Sequence, residues 1–203
     1  RRFAQRLQDA GVAVPIVTSP LMRIDPLTVS LPEGLRGVLF TSKNGVAAVE
    51  GRDLPAWCVG DATAEAAAHA GWRAVSAGGD AAALDRRLLA DAPTGPLLHL
   101  RGEHARGDLA QRLSAVGVET SETVVYRQVT EPLGPEARQV LSGDTPVLVP
   151  LFTTRSAETF LAEGPVRAPV EGIEISAAVF DRLAKAGVSR IAVAAGPTAA
   201  AML

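Results

Sequence analysis

The 203-residue chain has one cysteine, one tyrosine and three histidines, and only 4% of it is aromatic. A single thiol, Cys58, excludes an internal disulfide framework and fits a reducing compartment. It follows Trp57 in an apolar run and reads as buried filler. His69, His99 and His104 lack metal-ligand spacing, and one cysteine makes no zinc site. No Gly-x-Gly-x-x-Gly opens a helix, no Gly-Lys-Ser/Thr phosphate loop is present, and no nucleophile elbow is visible. Chemistry is therefore expected from positioning and general-acid help, without a metal or organic cofactor. The net charge is −2 and no Lys/Arg-rich run occurs, so nucleic acid is not an expected partner. No apolar run reaches the ~18–20 residues of a membrane helix. No charged-then-apolar leader opens the chain, so a cytoplasmic protein is expected. No apolar stripe demands a second copy, and a monomer is expected.

What the chain does have is a pattern stated twice. Phe40-Thr41-Ser42-Lys43-Asn44-Gly45 is followed twenty residues on by Gly60-Asp61-Ala62-Thr63-Ala64, and then by Gly71. Phe152-Thr153-Thr154-Arg155-Ser156-Ala157 is followed by Ser176-Ala177-Ala178-Val179, and then by Gly187. In each copy an apolar strand runs into hydroxyl residues and then a helix. Two such units predict two similar α/β modules with a ligand cleft between them.

From Gly37 onward, strands and helices alternate with short connections. Strands are predicted at 38–40, 56–59, 73–76, 97–100 and 119–129. Helices are predicted at 44–50, 62–70, 81–90 and 108–116, with Asp80 as an N-cap and Gly71 and Gly117 as stops. This pattern predicts doubly wound parallel sheets, with ligands at the carboxyl ends of the strands. Earlier, a helix is predicted over 3–10 and a strand over 12–17, and Asp25-Pro26 is a loop signal. Later, helices are expected at 136–142, 156–162, 177–186 and from Thr198. Strands are expected at 147–152, with Pro150 out of place, and at 173–175 and 191–194. The later segment lacks an opening strand and helix, which the first 24 residues supply. The expected arrangement is a discontinuous domain, 1–24 plus 133–203. A second domain, 28–126, is inserted into it through hinge strands near 24–27 and 127–132.

Several residues on this frame suit an anionic ligand. Thr41-Ser42 and Thr153-Thr154 sit at strand–helix turns, where backbone N–H groups point outward; plain helix capping is the competing reading. Lys43, Arg101, Arg106 and Arg155 fall near loop ends on the expected cleft side, where they would pair with carboxylates unless they are solvated surface charges. Tyr126, in Val124-Val125-Tyr126-Arg127, can donate a proton in a cleft, or can be a strand aromatic packing the sheet.

The ordered set of these pieces resembles the uroporphyrinogen-III synthase family. The resemblance rests on Phe40-Thr41-Ser42, Val59-Gly60-Asp61-Ala62-Thr63-Ala64, Gly79-Asp80-Ala81-Ala82-Ala83-Leu84 and Leu97-Leu98-His99-Leu100-Arg101-Gly102 with Arg106. It continues through Val124-Val125-Tyr126-Arg127, Phe152-Thr153-Thr154 and Ala194-Ala195-Gly196-Pro197-Thr198. It implies two α/β domains joined by a two-stranded connection, no cofactor, and a linear tetrapyrrole, hydroxymethylbilane, as substrate. The implied enzyme is a carbon–oxygen lyase of haem synthesis. It removes the substrate hydroxyl, inverts ring D through a spiro intermediate and closes the macrocycle to uroporphyrinogen III. The resemblance gives Tyr126 the role of proton donor. Thr41, Ser42, Lys43, Gly60, Thr63, Arg101, Gly102, Arg106, Thr153, Thr154, Arg155 and Ser176 are the expected substrate contacts. The chain departs from the family at Ser176-Ala177-Ala178-Val179, where Gly-Pro-Thr-Thr is usual; Val179 cannot donate, so that role is lost or shifts to Ser176. Against the family pattern, the chain opens at the first helix and stops at Leu203 within the expected last one. A non-catalytic two-lobed binder of a small anion is the alternative reading. A nucleotide-dependent transferase is opposed by the missing phosphate loop.

Overall fold

The structure is a computed structural model; it describes residues 2–104, 107–164, 166–174, 188 and 190–193. In chain order the elements are α1 (Arg2–Asp9), β1 (Met22–Pro26), β2 (Gly37–Phe40), α2 (Lys43–Ala47), β3 (Pro55–Cys58), α3 (Asp61–His69), β4 (Arg73–Ser76) and α4 (Ala81–Asp91). They continue with β5 (Leu97–Gly102), α5 (Leu109–Ala115), β6 (Thr120–Thr130), α6 (Pro135–Leu141), β7 (Val147–Leu151), α7 (Thr154–Ala162), β8 (Val170–Glu174) and β9 (Arg190–Val193). The chain separates into two compact units, Ile24–Val129 and Arg1–Arg23 with Thr130–Leu203.

In the first unit the strand order is β1-β6-β5-β2-β3-β4. The pairs β6–β5, β5–β2, β2–β3 and β3–β4 are all parallel. From β2 the chain winds outward through β3 to β4, then returns to the opposite side of β2 for β5 and β6. The winding reverses between β2 and β5, and that reversal is the switch point of a doubly wound sheet. Side chains alternate across the sheet. Val38, Phe40, Ala56, Cys58, Leu98 and Leu100 pack on one face with Val46 of α2 and Ala67 of α3. Leu39, Trp57 and Leu97 pack on the other with Leu84 and Leu88 of α4 and Leu109 and Leu113 of α5. β2 is buried along its whole length, as suits a central parallel strand covered on both faces. The predicted stops hold: Gly71 and Gly117 close α3 and α5 at φ 95° and 90°. Asp80 caps α4 by accepting from the Ala83 N–H at 2.9 Å.

In the second unit β7, β8 and β9 form a parallel sheet. Leu133, Ala137, Leu141, Leu151, Ala157, Phe160 and Val170 form its core, joined by Val17 and Leu21 from the N-terminal segment. The early and late segments are fastened at several points. Gly134 N–H donates to Ser19 Oγ at 2.9 Å, and Arg23 pairs with Glu131 at 2.8 Å. Phe3 meets Phe152 edge-on with ring centroids 5.0 Å apart.

Three expectations are corrected. Residues 12–17 form no strand; Pro15 removes a ladder donor, and Val12 and Val14 stay exposed. Asp25-Pro26 ends a strand rather than marking a loop. Leu27 N–H donates to Val125 O and Glu131 N–H to Leu21 O, so β1 and β6 run antiparallel, and β1 is an edge strand where proline is tolerated. Pro150 fits β7 for the same reason, since β7 pairs only with β8 among the described residues. The expected helices over 177–186 and from Thr198 lie outside the described residues.

Candidate functional site

The carboxyl ends of β2, β3 and β5 lie along one edge of the Ile24–Val129 sheet. β2 delivers Thr41-Ser42-Lys43 to that edge, β3 delivers Gly60, and β5 delivers Arg101-Gly102, with Tyr126 paired beside Gly102 on β6. The edge therefore gathers Thr41, Ser42, Lys43, Gly60, Arg101, Gly102 and Tyr126 from the expected contacts.

Ser42 is the N-cap of α2, and its Oγ accepts from the Asn44 N–H at 3.1 Å. In the other unit Thr153 is the N-cap of α7, accepting from the Ser156 N–H at 3.0 Å. This shifts the apparent repeat by one residue. β2 ends at Phe40 and β7 at Leu151, and each helix begins three residues later. Ser42 thus corresponds to Thr153 and Lys43 to Thr154, while Thr41 corresponds to Phe152. The matching Phe-Thr pairs in the sequence misalign the two turns, because one phenylalanine ends its strand and the other follows it.

Thr41 does something a cap does not: its Oγ1 lies 3.2 Å from His99 Nε2. His99 is opposite Leu39 in the β2–β5 register, so the two side chains meet diagonally on the face covered by α4 and α5. Burial pushes the His99 ring down to about 4, so it is neutral near pH 7. Its Nδ1 is buried without a partner among the described residues. Sequence reasoning set His99 aside for want of metal spacing; its place at the switch point was the missing signal.

Arg101 shares that face. Its guanidinium is held by Glu122 at 2.6 Å and donates to the Gly102 carbonyl at 3.0 Å, while its Nε is buried without a partner among the described residues. Arg101 therefore braces the end of β5.

Tyr126 belongs to the opposite face, in the cluster with Leu98 and Leu100. The residue is 7% exposed and its ring lies within that core. Tyr126 is thus a packing aromatic at the edge where the expected contacts gather. The ring lies over Gly102. A Cβ built there meets Tyr126 Cε2 at 2.6 Å and its hydroxyl oxygen at 2.7 Å. Gly102 is needed as room for the tyrosine. Gly45 serves α2 similarly, since a Cβ there lies 2.7 Å from the Leu100 carbonyl oxygen.

The remaining expected contacts are placed differently. Lys43 is exposed. Gly60 is the N-cap of α3, and a Cβ added to it would lie 3.6 Å from the Gly79 carbonyl oxygen, an ordinary contact. Thr63 is buried one turn before Ala67, on the packing side of α3. Thr154 and Arg155 open α7 and are partly buried. Arg106 and Ser176 lie outside the described residues. A cavity of about 520 Å³ lined by Thr28, Ser30, Glu50 and Arg52, among others, includes none of these residues. Among the described residues no three His, Cys, Asp or Glu side chains gather as metal ligands, and no helix is long and apolar enough to cross a membrane.

Residues 1–203 match the family described as "Uroporphyrinogen-III synthase HemD". No curated protein is a significant match to the chain. Among solved structures, uroporphyrinogen-III synthetase from Helicobacter pylori is similar with a TM-score of 0.68 at 18% identity, over 90% of this chain and 87% of that one. A mutant uroporphyrinogen III synthase from Thermus thermophilus gives a TM-score of 0.49 at 15% identity, over 100% of this chain and 91% of that one. The likeness to the Helicobacter protein is one of fold, an α/β arrangement with a mostly parallel sheet. With the family match running from end to end, this chain belongs to the uroporphyrinogen-III synthase family.

Proposed function

We propose that the chain is a cofactor-free cyclising carbon–oxygen lyase that converts hydroxymethylbilane to uroporphyrinogen III. The observation that carries the catalytic assignment is the place of Tyr126, the one tyrosine of the chain: its ring is held over Gly102 at the carboxyl edge of the sheet. Tyr126 protonates the departing hydroxyl of the substrate. The C–O bond breaks, water leaves, and the electron-poor methylene carbon is attacked by ring D. The spiro intermediate then fragments and recloses with ring D inverted, and the proton lost from the ring D carbon on closure restores the Tyr126 phenol. Much of the rate comes from holding a flexible chain in one reactive shape.

The substrate carries eight carboxylates, and the donors of the edge suit them. Thr41 and Lys43 contact carboxylates directly, and Gly60 lets the substrate approach the backbone closely. Ser42 and Thr63 hold the helices that frame the edge, and Arg101 braces β5. In the other unit Thr153 caps α7, and Thr154 and Arg155 open it; their contact with substrate is assigned by family resemblance. Arg106 and Ser176 remain assigned by family resemblance. The test is a coupled assay that feeds freshly made hydroxymethylbilane to the protein and separates the oxidised porphyrins by isomer. Type III product above the spontaneous type I background supports the reading. Only type I from folded protein leaves an anion-binding protein instead.

A further inference from the structure

The His99–Thr41 contact is not explained by packing alone. A histidine at the centre of a parallel sheet sits among leucines, 4% exposed, where an apolar residue would cost nothing in unmet hydrogen bonds. One ring nitrogen has a partner, Thr41 Oγ1, and the other has none among the described residues. The neutral ring carries one proton, and the two tautomers have different consequences. With the proton on Nδ1, a buried N–H is left orphaned, and the Thr41 hydroxyl proton is spent on Nε2. With the proton on Nε2, the ring donates to Thr41 Oγ1. The threonine proton then rotates away from the ring, while the bare Nδ1 is the only unmet group. Orphaned buried N–H groups are the rarer kind.

We propose that His99 is a positioning residue: its Nε2–H donates to Thr41 Oγ1 and so presents the Thr41 hydroxyl as a donor to a substrate carboxylate. The assignment of carboxylate as ligand rests on the function proposed above; the tautomer does not. A hydrogen bond to a charged group is strong enough that losing its alignment shows in binding. His99→Leu removes the donor with similar bulk, whereas the amide of His99→Gln restores one at the reach of Nε2.

The experiment has two arms. In the kinetic arm, His99→Leu raises KM about tenfold or more, with kcat changed little. His99→Gln recovers most of that loss. Thr41→Val shows a similar rise, to which His99→Leu adds nothing. An unchanged KM in folded His99→Leu, or an effect multiplying with that of Thr41→Val, overturns the proposal and leaves His99 a packing residue. The second arm is long-range ¹H–¹⁵N NMR on the wild-type protein, which reads the ring tautomer without substrate. A proton on Nε2 supports the proposal, and one on Nδ1 overturns it even if His99→Leu fails to fold. A wild-type protein that makes no type III product defeats the functional reading instead, and the NMR arm still decides the hydrogen bond.

Discussion

Gly102→Ala is the sharpest perturbation of the proposed site, because it adds one methyl and removes no functional group. The new Cβ stands 2.6 Å from Tyr126 Cε2 and 2.7 Å from the hydroxyl oxygen, against an ordinary carbon contact of about 3.5–4.0 Å. Something must give by about 1 Å. The glycine lies on β5, paired on one side to β6 and continuous with the buried run Leu97–Leu100, so the backbone is the stiffer party. The tyrosine ring moves. Overpacking of this kind costs about 1–3 kcal/mol, and a chain of this length loses roughly 2–4 °C of Tm per kcal/mol. The displacement matters more for activity. Shifting a reacting group by about 1 Å costs on the order of 100-fold. Turnover in the isomer-resolved assay is expected to fall by about that factor, while circular dichroism still reports a folded protein at room temperature. In a Tyr126→Ala background the same Gly102→Ala change is expected to lower Tm much less, since the crowded ring is gone. Wild-type turnover in Gly102→Ala, or equal losses of Tm in the two backgrounds, would refute the packing of Tyr126 over Gly102.

Tyr126→Phe keeps the ring and deletes the donor; turnover is expected to fall roughly 100- to 10,000-fold with Tm nearly unchanged, and unaltered turnover removes Tyr126 from the chemistry. His99 is depressed to about 4 mainly by burial, and the Arg101 charge adds to the shift while Glu122 opposes it. Below about pH 6.5 the unfolded chain binds a proton that the folded ring resists, so stability is expected to fall as pH drops from about 6.5 to 4. Urea titrations across that range test this, with His99→Gln showing a flatter dependence; equal slopes contradict the buried neutral ring. Burial raises the Cys58 thiol to about 11, so at about pH 8 it is protonated and shielded. A thiol reagent is expected to label it under those conditions only after unfolding in denaturant, and rapid labelling of native protein contradicts its place in the core.

The six-stranded sheet is legible in the sequence because its signals agree at several levels. Buried apolar runs are short, the helices carry caps such as Asp80, and glycines at positive φ stop α3 and α5. Residues 12–17 look like a strand by hydrophobicity, but hydrophobicity does not supply a pairing partner, and Pro15 subtracts a donor. Pro26 looks like a loop residue, yet an edge strand tolerates it. Such outcomes depend on which strand lies beside which, and local pattern does not carry that information. The site divided along the same line. The hydroxyls after β2 were visible, whereas the one-residue offset between Ser42 and Thr153 depends on where each strand stops. Gly102 reads in the sequence as a ligand contact; the room it leaves for Tyr126 is a relation across two strands. Metal-ligand spacing says nothing about His99, whose meaning comes from a diagonal neighbour on β2. Family membership spans the whole chain and carries the link to haem biosynthesis where no single motif would.

The most direct test of the proposed reaction is the isomer ratio formed from freshly generated hydroxymethylbilane. Predominantly type III uroporphyrin is expected after oxidation with wild-type protein, and a return toward type I with Tyr126→Phe. Type I alone with folded wild-type protein would contradict the cyclising activity.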